Sequence, residues 1–413
     1  MNSYSMWQKV KNTLHAVSAL MAALYYGFPA KKLKVIGITG TDGKTTTTHL
    51  IHHFLTTAGK KASMVSSVYA EIATKQYDTG FHVTSPNEWM VQRFLRESVE
   101  EGEEYMVLEV TSHGLDQHRV DWIDFEVGVL TNITHEHFDY HKTYKNYIRT
   151  KEKLLQKAKV AIVNQDDDSF QHLDISKIHK KVTYGIHKKA DITPQNFYFS
   201  SPLPGEYNRY NCLAAIATCK QLGISDSDIK RALKSFKGVK GRFEYLPTDT
   251  DFEVIIDFAH TPNAIEKVLV AIKPTVKNKL IHVFGSAALR DHSKRPFMGA
   301  NSAKFANLIV LTEEDYRTED VQQIIQEIAS GAQDQGATEM EPKDYKKALV
   351  SPNPVFFRVF NRQNAVNFAI QKLARKGDVL VFTGKAHEKS LCRGTVEYPW
   401  SEHEAITKAL KKT

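Results

Sequence analysis

The stretch Val35–Leu50, "VIGITGTDGKTTTTHL", decides the architecture. An apolar β-type run stops at a turn framed by Gly40 and Gly43, and Lys44 with a row of threonines then opens a helical pattern. Strand, glycine turn and helix together wrap a phosphate. The glycines let backbone N–H groups curl around its oxygens, and the helix start adds its positive end. The set Gly40, Thr41, Asp42, Gly43, Lys44, Thr45 and Thr46 is therefore expected to bind a nucleoside triphosphate. Lys44 would reach the β- and γ-phosphates, and the Thr45 hydroxyl would meet Mg²⁺. Only two residues separate the glycines, a spacing shorter than that of the common nucleotide-binding loop.

Outward from this stretch, β-rich runs alternate with helical ones. "KVIGITG", "KASMVSS", "YMVLEV", "VGVLTNI" and "KVAIVNQ" read as buried strands of a parallel sheet, with helical segments such as "NEWMVQRFLRESVEEG" between them. A second series follows: "FEVIIDF", "NKLIHVFG", "ANLIVLT" and "GDVLVFTG". The glycines of "KGVKGRFEYLP" suggest a hinge between the two series. The expectation is an α/β protein in three parts. A helical extension occupies residues 1–33, a P-loop ATPase-type parallel-sheet domain residues 34–243, and a Rossmann-like domain residues 244–413.

The 413-residue chain has 42% hydrophobic and 25% charged residues, ordinary for a soluble globular protein. A formal net charge of +8 spread over this length does not argue for nucleic acid. Cys212, Cys219 and Cys392 have no metal or disulfide spacing and fit a reducing cytosol. The start of the chain is distinct: Lys9, Lys11, Lys31, Lys32 and Lys34 precede the first acid, Asp42. Between them Val10, Leu14, Val17, Met21, Leu24 and Phe28 form one apolar stripe at helical spacing. The segment is too short to span a bilayer. Two readings stand: the stripe packs on the following domain, or residues 6–28 lie on an anionic membrane surface.

The short loop "GTDGKTTT" is the form typical of the Mur ligase and folylpolyglutamate synthetase superfamily. Ordered motifs narrow the resemblance: "LEVTSHGLDQHRV" (108–120), "TNITHEHFDYH" (131–141), "YIRTKEKLL" (147–155), "VNQDDD" (163–168), "LPGEYNRYNCLAAIA" (203–217), "KGRFE" (240–244), "IDFAHTPNAIEKVL" (256–269), "RDHSKRPFMGANSAKFANLIVLTEEDYRTED" (290–320) and "GKAHEKS" (384–390). Together they resemble the tripeptide-synthetase (MurE-type) Mur ligases over roughly residues 34–410. Such enzymes begin with a domain that holds the uridine diphosphate end of the substrate, and a phosphate loop starting at residue 40 leaves no room for it. The stretch between "VTYGI" and "LPGEYN" is also short.

The resemblance implies an ATP- and Mg²⁺-dependent acid–amino-acid ligase of peptidoglycan synthesis in the cytoplasm. Its partners would be a muramyl-peptide precursor and a free amino acid. Lys44, Glu109, His137 and Lys151 would be catalytic. Thr45 would hold one Mg²⁺, and Glu109, His137 and a carbamylated Lys151 the other. Asn211, Arg242, Asp257 and His260 would contact the nucleotide, with ATP held across the domain interface. Thr84, Ser85, Thr111, Gln117 and Arg119 would meet the muramyl-peptide, while Arg290, Asp315, Arg317, Gly384 and Glu388 would read the amino acid.

Here the sequence departs from the family's pattern. The signature "DNPR", associated with meso-diaminopimelate, appears as Glu314-Asp315-Tyr316-Arg317. "AALRD" replaces "GGDRD", and "GKAHE" replaces "GKGHE". Arg317 still suits a substrate with a distal carboxylate, which lysine lacks. A folylpolyglutamate synthetase would not explain "GKAHE" or "VTSHGLDQHR". A degenerate, non-catalytic scaffold would not explain the joint retention of Lys44, Glu109, His137 and Lys151.

Overall fold

The computed structural model describes residues 3–78, 86–134 and 143–411, with side chains from residue 11 onward. The chain forms two compact units, one of residues 1–202 with 207–237 and one of 203–206 with 238–413.

The first unit opens with α1 (Ser3–Tyr25), followed by β1 (Lys34–Thr39) and α2 (Lys44–Thr57). Next come β2 (Ala62–Val65), β3 (Ala70–Ile72), β4 (Lys75–Tyr77), α3 (Glu88–Glu100), β5 (Tyr105–Glu109) and α4 (Ser112–Asp116). The unit continues with β6 (Phe125–Leu130), α5 (Tyr144–Lys157), β7 (Ala158–Asn164), β8 (Lys181–Tyr184), α6 (Glu206–Gln221) and α7 (Asp226–Ser235). The strands form one sheet in the order β4-β3-β2-β5-β1-β6-β7-β8, parallel from β2 to β8. Its central strands β2, β5, β1 and β6 are buried on both faces, as a sheet covered by helices requires. Val35, Met106, Leu108 and Phe125 join Val91, Phe94 and Leu95 of α3 in one core. The register places Ile38 opposite Glu109, and Thr39 opposite Leu130. The carboxyl ends of β5, β1 and β6 therefore lie side by side, where open α/β sheets place their ligands.

In the second unit, β9 (Glu244–Leu246) and β10 (Glu253–Asp257) precede α8 (Pro262–Ile272), β11 (Leu280–Phe284), α9 (Lys294–Phe305) and β12 (Leu308–Leu311). There follow α10 (Val321–Asp334), β13 (Thr338–Glu339), β14 (Val355–Arg358), α11 (Arg362–Phe368), β15 (Val379–Thr383), the hairpin β16 (Ser390–Arg393) and β17 (Val396–Pro399), and α12 (Glu402–Leu410). The seven-stranded sheet runs β13-β14-β12-β11-β15-β10-β9, and only β9 is antiparallel. Both units are α/β, as the alternating pattern indicated. The hairpins β3-β4 and β16-β17 and the short strand β14 were not anticipated.

The stripe reading of α1 needs correction. Ala19, Ala22 and Ala23 form the buried face, whereas Leu14, Val17, Met21 and Leu24 are 65%, 50%, 50% and 59% exposed. Small side chains let the helix approach α3 closely, and polar anchors fix it. Ser18 Oγ donates to Glu88 Oε1 at 2.5 Å, Trp89 Nε1 donates to Ser18 Oγ at 3.0 Å, and Asn12 Nδ2 donates to Asp116 Oδ2 at 3.1 Å. The helix ends where Gly27 and Phe28 turn left-handed and Pro29 follows, a common stop. α1 is thus part of the first unit and not a separate extension, yet its large apolar side chains are not what docks it. No helix among the described residues is long and apolar enough to cross a membrane.

Candidate active site

The glycine turn after β1 is held from two sides. Thr41 N donates to Asn132 O at 2.9 Å, and Asp42 N to Asn132 Oδ1 at 2.9 Å. Thr131 Oγ1 and Asn132 Nδ2 both donate to the Asp42 carbonyl, at 2.6 and 3.1 Å. Thr134 N donates to Thr41 Oγ1 at 3.0 Å, and that hydroxyl lies 3.2 Å from Tyr147 Oη. A Cβ on Gly40, at φ 154°, would fall 1.8 Å from Thr131 Oγ1; one on Gly43, at φ 83°, would fall 2.2 Å from Asn211 Oδ1. The glycines are there because neighbouring side chains occupy the space a side chain would need. Asn211, buried on α6, is further fixed by donating to Asn208 Oδ1 at 3.1 Å.

Two ammonium groups converge on this turn. Lys44 Nζ donates to the carbonyls of Gly40 and Thr41, at 3.1 and 2.7 Å. Lys151, on α5, is 1% exposed and donates to the Gly40 carbonyl at 2.7 Å, with its ammonium over the Tyr147 ring. It is not a solvent-facing lysine: the helical spacing of "YIRTKEKLL" turns it inward beside Tyr147. The buried Glu109 closes the other side. Thr45 Oγ1 donates to its Oε1 at 3.2 Å, Ser67 N donates to its Oε2 at 2.9 Å, and the Thr45 and Ser67 hydroxyls are 3.0 Å apart. Among the described residues Glu109 has no cationic partner. Uncharged donors and a phosphate loop are the surroundings in which a hard divalent cation shares a carboxylate with phosphate oxygens, so the donor set fits Mg²⁺.

Of the other first-unit residues singled out, Thr111 caps α4 by accepting from Gly114 N at 3.0 Å, and Arg119 Nη2 donates to Gln117 Oε1 at 2.6 Å. Thr46 is buried in the first turn of α2. Thr84, Ser85 and His137 lie outside the described residues. Sequence reasoning missed Ser67, Thr131, Asn132 and Tyr147 as supports of the loop. Their signal was positional: Ser67 ends the β2 motif, Thr131 and Asn132 open "TNITHEHFDYH", and Tyr147 lies one helical turn before Lys151.

In the second unit, Asp257, His260, Arg290, Asp315, Arg317, Gly384 and Glu388 all lie at or beyond the carboxyl ends of β10, β11, β12 and β15. Asp257 accepts from Phe243 N and Ala259 N, both at 2.7 Å. The Arg242 guanidinium stacks 4.4 Å over Phe258, whose ring also touches His260 and His387. Lys385 is fully buried, ion-paired to Asp315 at 2.9 Å and to Glu388. Burial disfavours its charge, but the carboxylates of Glu388, Asp315 and Glu314 outweigh that and raise its pKa. Cys392 N also donates to Asp315 Oδ1, at 2.9 Å. Glu314 is buried beside Gly384, its Oε2 without a partner among the described residues; burial, with Glu388 and Asp315 nearby, lifts its pKa against the pull of Lys385. Arg317 adopts φ 45° and is tied by its backbone to the β16–β17 hairpin, donating to Cys392 O of β16 at 3.2 Å and accepting from Gly394 N of the turn at 2.7 Å. Arg290 is exposed. The buried arginine of its motif is Arg295, paired to Glu319 and Glu327 at 2.8 Å each. The three cysteines are free and buried, and burial pushes the Cys212 thiol up to about 12.

Comparison with known proteins matches these features to one family. Residues 38–219 match the Mur ligase middle domain, and residues 241–386 match the Mur ligase glutamate ligase domain. The chain is 34% identical to UDP-N-acetylmuramoyl-L-alanyl-D-glutamate–2,6-diaminopimelate ligase 1 of Clostridium acetobutylicum, covering 95% of this chain and 81% of that protein. It is 37% identical to the Aquifex aeolicus ligase of the same name, covering 94% and 79%. A solved 2,6-diaminopimelate ligase of this type superposes with a TM-score of 0.61 at 27% identity, covering 92% of this chain and 78% of that one. A Mycobacterium tuberculosis folylpolyglutamate synthase shares the fold, with a TM-score of 0.69 at 14% identity and coverage of 90% and 93%. The chain belongs to the Mur ligase family and is an ATP-dependent carbon–nitrogen ligase.

Proposed function

We propose that the protein joins meso-diaminopimelate to the D-glutamyl carboxyl of a muramyl-dipeptide precursor through an acyl phosphate. The observation that carries this reading is the convergence of Lys44, Thr45, Glu109 and Lys151 on one glycine turn at the carboxyl ends of β1 and β5. A carboxylate oxygen of the acceptor attacks the γ-phosphorus of ATP and releases ADP. The amine then attacks the acyl carbon, inorganic phosphate leaves, and the amine's proton passes to solvent or base.

Lys44 and the loop N–H groups hold the charge of the transferring phosphoryl group. Mg²⁺ ions, when bound, would neutralise phosphate oxygens; Thr45 is assigned to hold one, and Glu109 and His137 the other. Lys151 is assigned, as a carbamate, to the same duty. In the second unit, Arg242, Asp257 and His260 are assigned to the nucleotide, and Arg290, Asp315, Arg317, Gly384 and Glu388 to the incoming amino acid. Thr84, Ser85, Thr111, Gln117 and Arg119 are assigned to the muramyl-peptide. Arg317 favours diaminopimelate over lysine because a guanidinium pairs with the distal carboxylate that lysine does not carry.

The test uses acceptor labelled with ¹⁸O in the D-glutamyl carboxyl, with ATP, Mg²⁺ and diaminopimelate. The expected outcome is a tripeptide product of the right mass and one ¹⁸O in the released phosphate. Product with unlabelled phosphate would exclude the acyl phosphate, and no product would exclude the reaction.

A further inference from the structure

Among the described residues, one face of α1 has a partner and the other has none. The alanine face is buried on the first unit, while Leu14, Val17, Met21 and Leu24 stand half or more exposed on the other. Their spacing alternates three and four residues, so they form one continuous stripe. Aromatic rings extend it. Tyr25, which is exposed, meets Trp89 at 5.8 Å, and Phe28 meets the half-exposed Trp122 at 6.2 Å. Scattered exposed apolar residues need no explanation, but a contiguous strip of this kind marks an interaction surface.

The charges around it identify the partner. No acid precedes Asp42, and Lys11, Lys31, Lys32 and Lys34 are all exposed. Leucine, valine and methionine on one stripe, tryptophan and tyrosine at its edge, and lysines about both ends suit a helix lying in a lipid headgroup layer. A second copy of the chain is a poorer match. It would bring lysines against lysines with no acid on the helix to offset them. A few turns of apolar helix also fall well short of the ~800 Å² per partner of a stable protein interface.

We infer that α1 is a peripheral membrane anchor. It lies parallel to an anionic phospholipid surface, its apolar stripe among the acyl–headgroup boundary and its lysines on the lipid phosphates. Association is at one leaflet, since no described helix can span the bilayer.

Co-sedimentation of the full-length protein with phosphatidylglycerol-containing and pure phosphatidylcholine vesicles tests this. Because Met21 and Leu24 are exposed, Met21→Asp/Leu24→Asp leaves the fold intact, which a thermal melt verifies. The wild type should partition onto the anionic vesicles and be released by salt. Met21→Asp/Leu24→Asp should lose at least tenfold in partitioning, with ligation in vesicle-free solution unchanged. Lys31→Gln/Lys32→Gln should lose about 25-fold, a factor of about five for each lysine near the surface. Equal partitioning of the wild type and the double aspartate variant, or a wild type that stays in the supernatant, would overturn the anchor. So would a dimer in sedimentation velocity that the same aspartates dissociate, which would assign the face to a second copy.

Discussion

The phosphate loop of the first unit and the carboxyl-end side-chain cluster of the second are built by different means. Around Gly40 and Gly43 the fixed points are mainly backbone atoms, and the loop is held by Asn132 and Thr131 in a form that leaves little freedom. Around Gly384 the fixed points are coupled side chains. Lys385 is closed onto Asp315 and Glu388, and Glu314 is buried with an oxygen that has no partner among the described residues. A backbone-built site tolerates few substitutions, because the glycines have no alternative. A side-chain network can be re-paired residue by residue. The departures from the family's pattern fall on the second kind: Asp315 stands where the signature has asparagine, and pairs with a lysine.

The first way to break this contrast is to remove the charges at the loop. Lys44→Ala and Glu109→Ala should each lower ligation roughly a thousandfold with the melting curve unchanged, the scale of a lost preorganised transition-state contact. Near wild-type turnover in either variant would remove the loop from catalysis. Lys151→Ala should lose most activity. If Lys151 serves as a carbamate, acetate at high concentration should restore part of it; no restoration would reduce Lys151 to an ammonium that fastens Gly40.

The second unit sharpens the contrast. Arg317→Ala should weaken use of diaminopimelate by about 2–5 kcal/mol, the cost of leaving a buried charge unpaired, and affect lysine far less. Equal losses would show that Arg317 does not select.

A smaller effect concerns stability. His282, fully buried between Ser302 Oγ at 2.8 Å and Thr383 Oγ1 at 2.9 Å and stacked on Phe284, has its pKa pushed down to about 3 by burial and by the Arg362 guanidinium. Below pH ~6.5 the unfolded chain takes up a proton that the folded state refuses until about pH 3. The contribution is therefore complete above pH ~6.5 and falls on acidification, by about 2 kcal/mol at pH 5. Urea unfolding at pH 7 and 5 should show this loss, and His282→Asn should flatten it. An unchanged pH slope in the variant would refute the assignment.

What the sequence made legible follows the same division. The strand–glycine–lysine pattern reads directly because φ-specific glycines and a strand-to-helix switch leave one local solution. The buried parallel strands read as well, since apolar runs of that length have few other uses. The support of the loop by Asn132 and Tyr147 did not read, because those contacts join residues distant in sequence. Nor did the face of α1. Periodicity identified an apolar stripe but could not say that alanines, with less to bury, would dock and leave the leucines outside. Large side chains mark a face that needs covering, not which neighbour covers it.

The most direct measurement is the ratio of kcat/KM for meso-diaminopimelate to that for L-lysine, with muramyl-dipeptide acceptor, ATP and Mg²⁺ and the wild-type protein. An Arg317 that clamps the distal carboxylate predicts a ratio of about 100 or more, since discrimination by a lost charged contact is worth several kcal/mol. A ratio near one, or a preference for lysine, would contradict the diaminopimelate assignment and show that the edits around Asp315 have changed the substrate.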